Sequence, residues 1–360
     1  MLQADGRFAL DDADQQYVDS FGVRRLRAYL RGRIARRFEF YLNPDFAGGV
    51  LVLQDAYVDT VFAPAFRIRA GKSKTPFGME RLHAAPNILF MERAFPTSLV
   101  PNRDIGVQVL GDLAGGVASY MAGVSNGVPD GGSTDVDTND GKDISGRLAV
   151  RPFSRRAGSA LRGLGLAFSA SAGAAGALPT FRTQTLLQPY FAYAAGAGPS
   201  VADGRRSRQS PQVWYFHKQF AGWGEYVRTK TPIRRAAVSR DIAHTAWQVA
   251  ASWVWTGEPA TETGGGVRPR ADFDFGGGHW GALQVAARYH TLAVGADATA
   301  LGLAAAGSSR KAEGWTAGLR WYLTGNLSYA VNYERTVFDG NANGVRKAEN
   351  ALAFRTQVSF

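Results

Sequence analysis

The last ten residues of the chain alternate. Leu352, Phe354, Val358 and Phe360 fall on one face of an extended segment, and Ala353, Arg355, Gln357 and Ser359 on the other. A period of two marks a strand, because successive side chains point to opposite faces. The same pattern places Leu327, Tyr329, Val331 and Tyr333 opposite Ser328, Ala330, Asn332 and Glu334. It also sets Trp315, Ala317, Leu319, Trp321 and Leu323 against Thr316, Gly318, Arg320 and Tyr322, with Thr324-Gly325-Asn326 as the hairpin turn between these two runs. Trp247 to Trp255 and Leu283 to His290 repeat the pattern upstream. The N-terminal half is less regular, but Phe38-Phe40-Leu42 against Glu39-Tyr41-Asn43, and Ala56-Val58 against Asp55-Tyr57-Asp59, read as strands.

These strands run about 9–11 residues, the length that crosses a bilayer at a tilt. Their apolar faces end in Trp, Tyr or Phe, as interfacial girdles require, while the opposite faces carry Arg, Glu and Gln. In a soluble barrel the apolar face points inward; here the charged face reads as a wet lumen. The expectation is an all-β fold: a transmembrane antiparallel β-barrel of about 16 strands, within the even-numbered range of bacterial barrels. No internal repeat, composition break or linker divides residues 1–360, so one domain is expected. The aromatic end at Phe360, on an alternating last strand, fits an outer-membrane barrel. Val128 to Asp143 reads as an acidic external loop, Gly196 to Ser210 as a polar, basic one and Gly257 to Gly278 as a Gly/Pro-punctuated one, all three on one side of the barrel.

Composition changes this picture little, with one exception. The long uncharged run Gly163 to Phe181 is rich in Gly, Ala and Ser and lacks the dense apolar character of a spanning helix. Met1 leads directly into L-Q-A-D-G-R-F without a basic n-region or apolar h-region, so the sequence reads as a mature or trimmed form with a truncated N-terminus. Cysteine is absent, as suits a periplasm-facing product. The exception is charge: 41 Lys+Arg against 30 Asp+Glu give a formal +11. Such an excess favours an anionic partner, whether nucleic acid, a lipid or lipopolysaccharide surface, or a small anion.

The charge is concentrated. R-R-L-R-A-Y-L-R-G-R-I-A-R-R, Arg24 to Arg37, contains seven arginines and no acid. On a strand Arg25, Arg27, Tyr29, Arg31 and Arg33 share one face, a row of planar forks matched to oxyanions. Leu26, Leu30 and Ile34 also fit a helix at i, i+4, i+8, which leaves a nucleic-acid-binding helix as the alternative; the barrel pattern downstream argues against it. Arg36 and Arg37 are expected at the barrel rim, against lipopolysaccharide phosphates. Ser73 to Asp104 is a long segment with little alternation, expected to fold into the barrel and narrow it. With Lys72 included it carries Lys72, Lys74, Arg81, Arg93 and Arg103 against Glu80, Glu92 and Asp104. Arg93 beside Glu92 admits plain local ion pairing. G-R-R-S-R at Gly204 to Arg208 reads either as a mouth that gathers anions through Arg205, Arg206 and Arg208 or as a solvated basic loop. His83, His217, His244, His279 and His290 show no metal-ligand spacing, no nucleotide or hydrolase motif is present, and neither metal nor cofactor is expected.

With these residues in hand, the chain resembles the phosphate-selective porins of the O and P type along almost its whole length. The segments that carry the resemblance are R-R at Arg24-Arg25, G-K-S-K-T-P-F-G at Gly71 to Gly78, M-E-R at Met91 to Arg93, W-Q-V-A-A-S-W-V-W-T-G-E at Trp247 to Glu258, G-L-R-W-Y-L-T-G-N at Gly318 to Asn326, and the final strand. The resemblance implies a 16-stranded barrel in the bacterial outer membrane, usually a homotrimer, with a basic constriction that binds phosphate or polyphosphate. It maps the paired constriction arginines onto Arg24 and Arg25 and a constriction lysine onto Arg81. A family tyrosine falls at Arg27, and a position not basic in the best-known members falls at Lys74. A family aspartate falls at Gln54, beside Asp55, and one family arginine lies just before Met1. The expected constriction is therefore Arg24, Arg25, Arg27, Lys74 and Arg81, supported by Arg31, Arg33, Lys72, Arg205, Arg206 and Arg208. The expected function is passive anion diffusion without gating. A general or organic-acid porin is the alternative; a barrel enzyme would need a clustered acid/base pair that the sequence does not offer.

Overall fold

The computed structural model describes residues 1–11, 17–137, 139–340 and 346–360, so Thr138 of the expected acidic loop lies outside the described residues. The wall is built from antiparallel strands: β1 (Leu2–Leu10), β2 (Ser20–Leu26, continued in line by Leu30–Ile34), β3 (Phe38–Asp45), β4 (Val52–Ala63), β5 (Phe66–Lys74), β6 (Arg103–Leu113), β7 (Ala118–Ser125) and β8 (Asp143–Val150). It continues with β9 (Gly165–Ala174), β10 (Arg205–His217), β11 (Phe220–Arg235), β12 (Val238–Val254), β13 (Ala282–Ala293), β14 (Lys311–Tyr322), β15 (Leu327–Asp339) and β16 (Glu349–Val358). Each pairs with the strand before and after it, and the last returns to the first: Leu2 opposes Val358 and Leu10 opposes Asn350.

The seam of this ring is β2. Ser20–Leu26 pairs with β1, whereas Leu30–Ile34 pairs with β3; Arg27 bridges to Asp45 in the same register as Leu30 opposite Leu42. Ser20–Leu26 has only the β1 side paired among the described residues, and the wall is joined across β2 only around Leu26 and Arg27, where Arg27 N donates to Met1 O and Phe46 N to Leu26 O. Along Leu30–Ile34 only the β3 side is paired among the described residues, and the ring is notched there. The stretch read from sequence as strand or helix is a strand.

Alternation decides what faces what. Val249 is 56% exposed while its neighbour Gln248 is 1% exposed. Trp315, Leu319, Tyr329 and Phe354 lie outward, and Arg320, Asn332, Glu334 and Arg355 are buried inside. An apolar exterior over a polar interior is the arrangement a bilayer imposes, because lipid offers no partner to a backbone or side-chain polar group. The interior is not polar throughout. At one end Val227, Ile233, Ile242 and Leu292 pack against Phe181, Tyr190 and Phe191 of the segment 175–204, which fills that side of the lumen.

The connections sort into two classes. Chain segments 75–102, 126–142, 175–204 and 294–310 lie at one end, together with the tight turn 236–237; the tight turns 35–37, 64–65, 218–219 and 323–326 lie at the other, with both chain ends. In bacterial barrels the short turns face the periplasm. Residues 255–281 join β12 to β13 at this turn end, so the Gly257 to Gly278 segment is opposite the other two loops rather than beside them. Strand order fixes this: an even number of crossings separates the start of β9 from the end of β12. Arg36 and Arg37 also sit at the turn end, a rim that does not face lipopolysaccharide.

The outward assignment is testable. Val249→Arg should lower unfolding free energy in lipid vesicles by about 2–4 kcal/mol, the cost of a cation near the bilayer midplane, measured by urea titration. A change below about 0.5 kcal/mol would place Val249 away from lipid.

Candidate functional site

The segment 75–102 leaves β5, crosses the lumen and is tied to the far wall. Met91 N donates to Asn332 Oδ1 at 2.7 Å and Phe95 N to His290 Nδ1 at 3.1 Å. Arg320 donates to Ile88 O at 2.8 Å, and Met79 N donates to Glu225 Oε1 at 2.7 Å. Phe77, Phe90, Phe95 and Leu99 are buried along it. The expected inward-folded loop is therefore present, with limits two residues inside those read from sequence.

Its central feature is Glu92. Arg7 Nη2 lies 2.5 Å from Glu92 Oε1, Arg24 Nε 2.6 Å from the same oxygen, Arg25 Nη2 3.5 Å from Oε2 and Arg355 Nη2 3.6 Å from Oε1. Burial opposes ionisation of this carboxyl, but Arg24, Arg25, Arg7 and Arg355 hold it well below the usual carboxylate range. The local cause is a β-bulge. Gln3 opposes Arg25 but Ala4 opposes Val23, so Arg24 is the extra residue on β2. A bulge re-aims a side chain, and here it lets two consecutive arginines reach one carboxylate on the lumen side. The paired arginines expected to hold a mobile anion are thus already held by an anion of the chain itself. Arg93, beside Glu92, makes no ion pair with it and donates instead to two backbone carbonyls, Glu80 O at 3.0 Å and His83 O at 2.8 Å.

A second group of cations lacks such compensation. Lys74 Nζ donates to Leu82 O at 3.0 Å and His83 O at 2.8 Å, and Arg81 Nη2 to Thr97 O at 2.5 Å. Among the described residues neither meets a carboxylate within ion-pair distance. Burial, with Arg93 and Arg103 close by, pushes the Arg81 guanidinium down to about 9. Arg103 is satisfied by Asp55 in a two-pronged pair at 2.9 and 3.1 Å. Asp55 thus supplies an acid to the lumen next to the position where the resemblance had lost one. Arg27 pairs with Asp45 at 2.7 Å.

The supporting residues fare differently. Arg31 reaches a lumen cavity and makes no hydrogen bond or ion pair among the described residues. Arg33 is exposed and paired with Glu39 at 2.5 Å. Lys72 is buried and paired with Asp135 of the segment 126–142. Arg205, Arg206 and Arg208 are not in a loop but open β10. Arg206 and Arg208 point inward, almost wholly buried, and bind Asp130 and Asp143; Arg208 Nε to Asp130 Oδ1 is 2.7 Å. They fasten the 126–142 segment to the wall and are not free to gather anions, whereas Arg205 stays exposed. Sequence reasoning did not single out Arg7, Arg288 or Arg355 as site residues. For Arg288 and Arg355 the signal was there, since both stand on the polar face of clear strands.

The sequence matches the family described as phosphate-selective porin O and P over residues 2–360. No curated protein matches it by sequence. Among solved structures it is similar to the outer membrane channel DcaP of Acinetobacter baumannii, with TM-score 0.60 and 12% identity over 100% of this chain and 95% of that one. It is similar too to outer-membrane expressed OmpT of Vibrio cholerae, with TM-score 0.56 and 10% identity over 99% of this chain and 95% of that one. The trimer form of OmpT gives 0.54 at 10% identity, over 100% and 97%.

Removing the internal anion should strengthen binding of an external one. Glu92→Gln is expected to tighten phosphate block of single-channel current at least about tenfold, since a unit-charge contact at 4 Å is worth about 4 kcal/mol at an effective dielectric of 20. Unchanged or weaker block would show that Arg24 and Arg25 do not bind the ion.

Proposed function

The chain belongs to the phosphate-selective porin O and P family and is a passive, anion-selective porin of the bacterial outer membrane; within that class we propose that it passes phosphate-type oxyanions, polyphosphates among them, through the constriction made by segment 75–102. The observation that carries this reading is the charge imbalance at Lys74 and Arg81. Both are turned toward backbone carbonyls rather than carboxylates, so their charge is left to the lumen. Carbonyl dipoles fix the side chains in place without cancelling them. An oxyanion arriving there regains, from ammonium and guanidinium donors, the hydrogen bonds it gives up on leaving water.

The Glu92 cluster then acts as the exchange step. Arg24 and Arg25 are available to an ion only as Glu92 yields them, so an ion passing from Lys74 and Arg81 toward Arg25 and Arg27 competes with a tethered carboxylate. This keeps each site weak enough to leave, which conduction requires as much as entry. A chain of basic groups spaced along the path also favours an extended polyanion, which can hold one site while releasing another. A general porin lacks any such site; a homotrimeric assembly is proposed by likeness to the trimer form of OmpT.

The test is planar-bilayer conductance with added phosphate, pyrophosphate or polyphosphate. Saturable block is expected, weakened by salt, stronger for the longer anions and about tenfold weaker in Lys74→Met. Current steps should arrive in threes. Linear conductance that no phosphate species blocks would leave a general porin, and single steps would remove the trimer.

A further inference from the structure

Between the constriction and the turn end lies a cavity of about 560 Å³ whose lining is unlike the rest of the lumen. Tyr29, Tyr41 and Tyr57 stand side by side on its wall. The ring centroids of Tyr29 and Tyr41 are 6.3 Å apart with the planes only 20° off parallel, and those of Tyr41 and Tyr57 are 5.4 Å apart. Register puts them there. Tyr41 opposes Tyr57 across β3 and β4, and both stand on the face opposite the lipid-facing Leu42 and Val58. They are therefore not part of an interfacial girdle. Gly71 opposes Tyr57 on β5 and leaves its place open, so the side chain that reaches that ring from the next strand is that of Arg69, two residues away. Arg69 fills part of the space, its guanidinium carbon 3.8 Å from the Tyr57 centroid while two-pronged pairing ties it to Asp59.

Cations border this aromatic wall. Arg31 is directly opposite Tyr41 on the neighbouring segment of β2 and has no partner among the described residues. Lys74, without a carboxylate, and Arg103, held by Asp55, close the side toward the constriction. Pure electrostatic funnelling of an inorganic ion needs no ring here: a tyrosine face adds dispersion and quadrupole contacts that a bare phosphate cannot use. A lumen that only conducts small hydrated anions would be served as well by Ser, Thr or Gln.

We propose that this cavity is a binding site for phosphate monoesters carrying a flat, unsaturated ring, with the ring against Tyr41 and Tyr57 and the phosphate toward Arg31 and Lys74. The proposal rests on the anion-selective reading above and names a substrate class for the same pore. The two ends of such a molecule meet different chemistry on one wall. Ring stacking in water-exposed sites is worth enough to shift affinity by up to about tenfold, and the charged end supplies orientation. The cavity lies where an ion leaving Lys74 would next arrive, so the site is on the conduction path and its occupancy reads out as current block.

The experiment compares phenyl phosphate with ethyl phosphate, which share the charged group and differ in the ring. Both are titrated against single-channel current of the full chain, with inorganic phosphate alongside. Phenyl phosphate should block about tenfold more strongly than ethyl phosphate. That ratio should fall toward one in Tyr41→Leu and persist in Tyr41→Phe, which keeps the ring. Equal block by the two esters in the unaltered protein, or a ratio that survives Tyr41→Leu, overturns the proposal. If inorganic phosphate blocks but the esters do not differ, only this inference fails. If the pore is not anion-selective at all, the reading beneath it fails as well.

Discussion

One carboxylate meets guanidinium groups from three adjoining strands, two at the start of the chain and one at its end: Glu92 with Arg7 on β1, Arg24 and Arg25 on β2, and Arg355 on β16. Those strands are also the ones that bring the ring of the barrel back to its start. The contact therefore does two things with one charge. It pins the segment 75–102 across the lumen, which creates the constriction, and it braces the wall beside the seam where β2 changes neighbours. A buried charge without partners would be costly by several kcal/mol, so Glu92 and its arginines stand or fall together.

The second consequence is an uneven distribution of compensation. Most inward-facing arginines are matched: Arg103 by Asp55, Arg69 by Asp59, Arg27 by Asp45, Arg208 by Asp130 and Asp143, and Arg288 by Glu334 at 3.1 Å. Against that background Lys74, Arg81 and Arg31 meet no carboxylate within ion-pair distance among the described residues, and neither do Arg93, Arg147 and Arg320, which donate to carbonyl or amide oxygens; of these, Lys74 and Arg31 line one cavity between the constriction and the turn end. The formal +11 of the chain is thus a poor guide to where an anion would be held. Selectivity follows from the few cations whose charge is not already spent on holding loops to the wall.

The wall itself was legible in the sequence, because the bilayer enforces a strict apolar exterior and the alternation in segments such as Leu327 to Glu334 has only one solution. The basic row from Arg25 to Arg33 was legible for the same reason. Three things were not. The strands β10, β11 and β12 span 13, 16 and 17 residues, more than the roughly 9–11 needed to cross lipid. Where they pass beyond it, their outer face turns polar and the alternation of hydrophobicity disappears. That is why Arg205, Arg206 and Arg208 read as loop. The bulge at Arg24 turns on a pairing offset with β1 that no local pattern encodes. The partner of the paired arginines, Glu92, is some 67 residues along the chain from Arg25 and reaches it only because the intervening segment folds inward, a long-range event that spacing cannot reveal.

Uncompensated cations at the constriction, not the overall charge, set what passes. The reversal potential across a tenfold potassium chloride gradient tests it most directly, taken for the unaltered pore and for Lys74→Met with Arg81→Gln. The unaltered pore should show the sign of an anion-selective channel, and the double variant should lose most of that potential although the net charge changes only from +11 to about +9. A potential that stays anion-selective at full size in the double variant, or one of cation-selective sign in the unaltered pore, would contradict it.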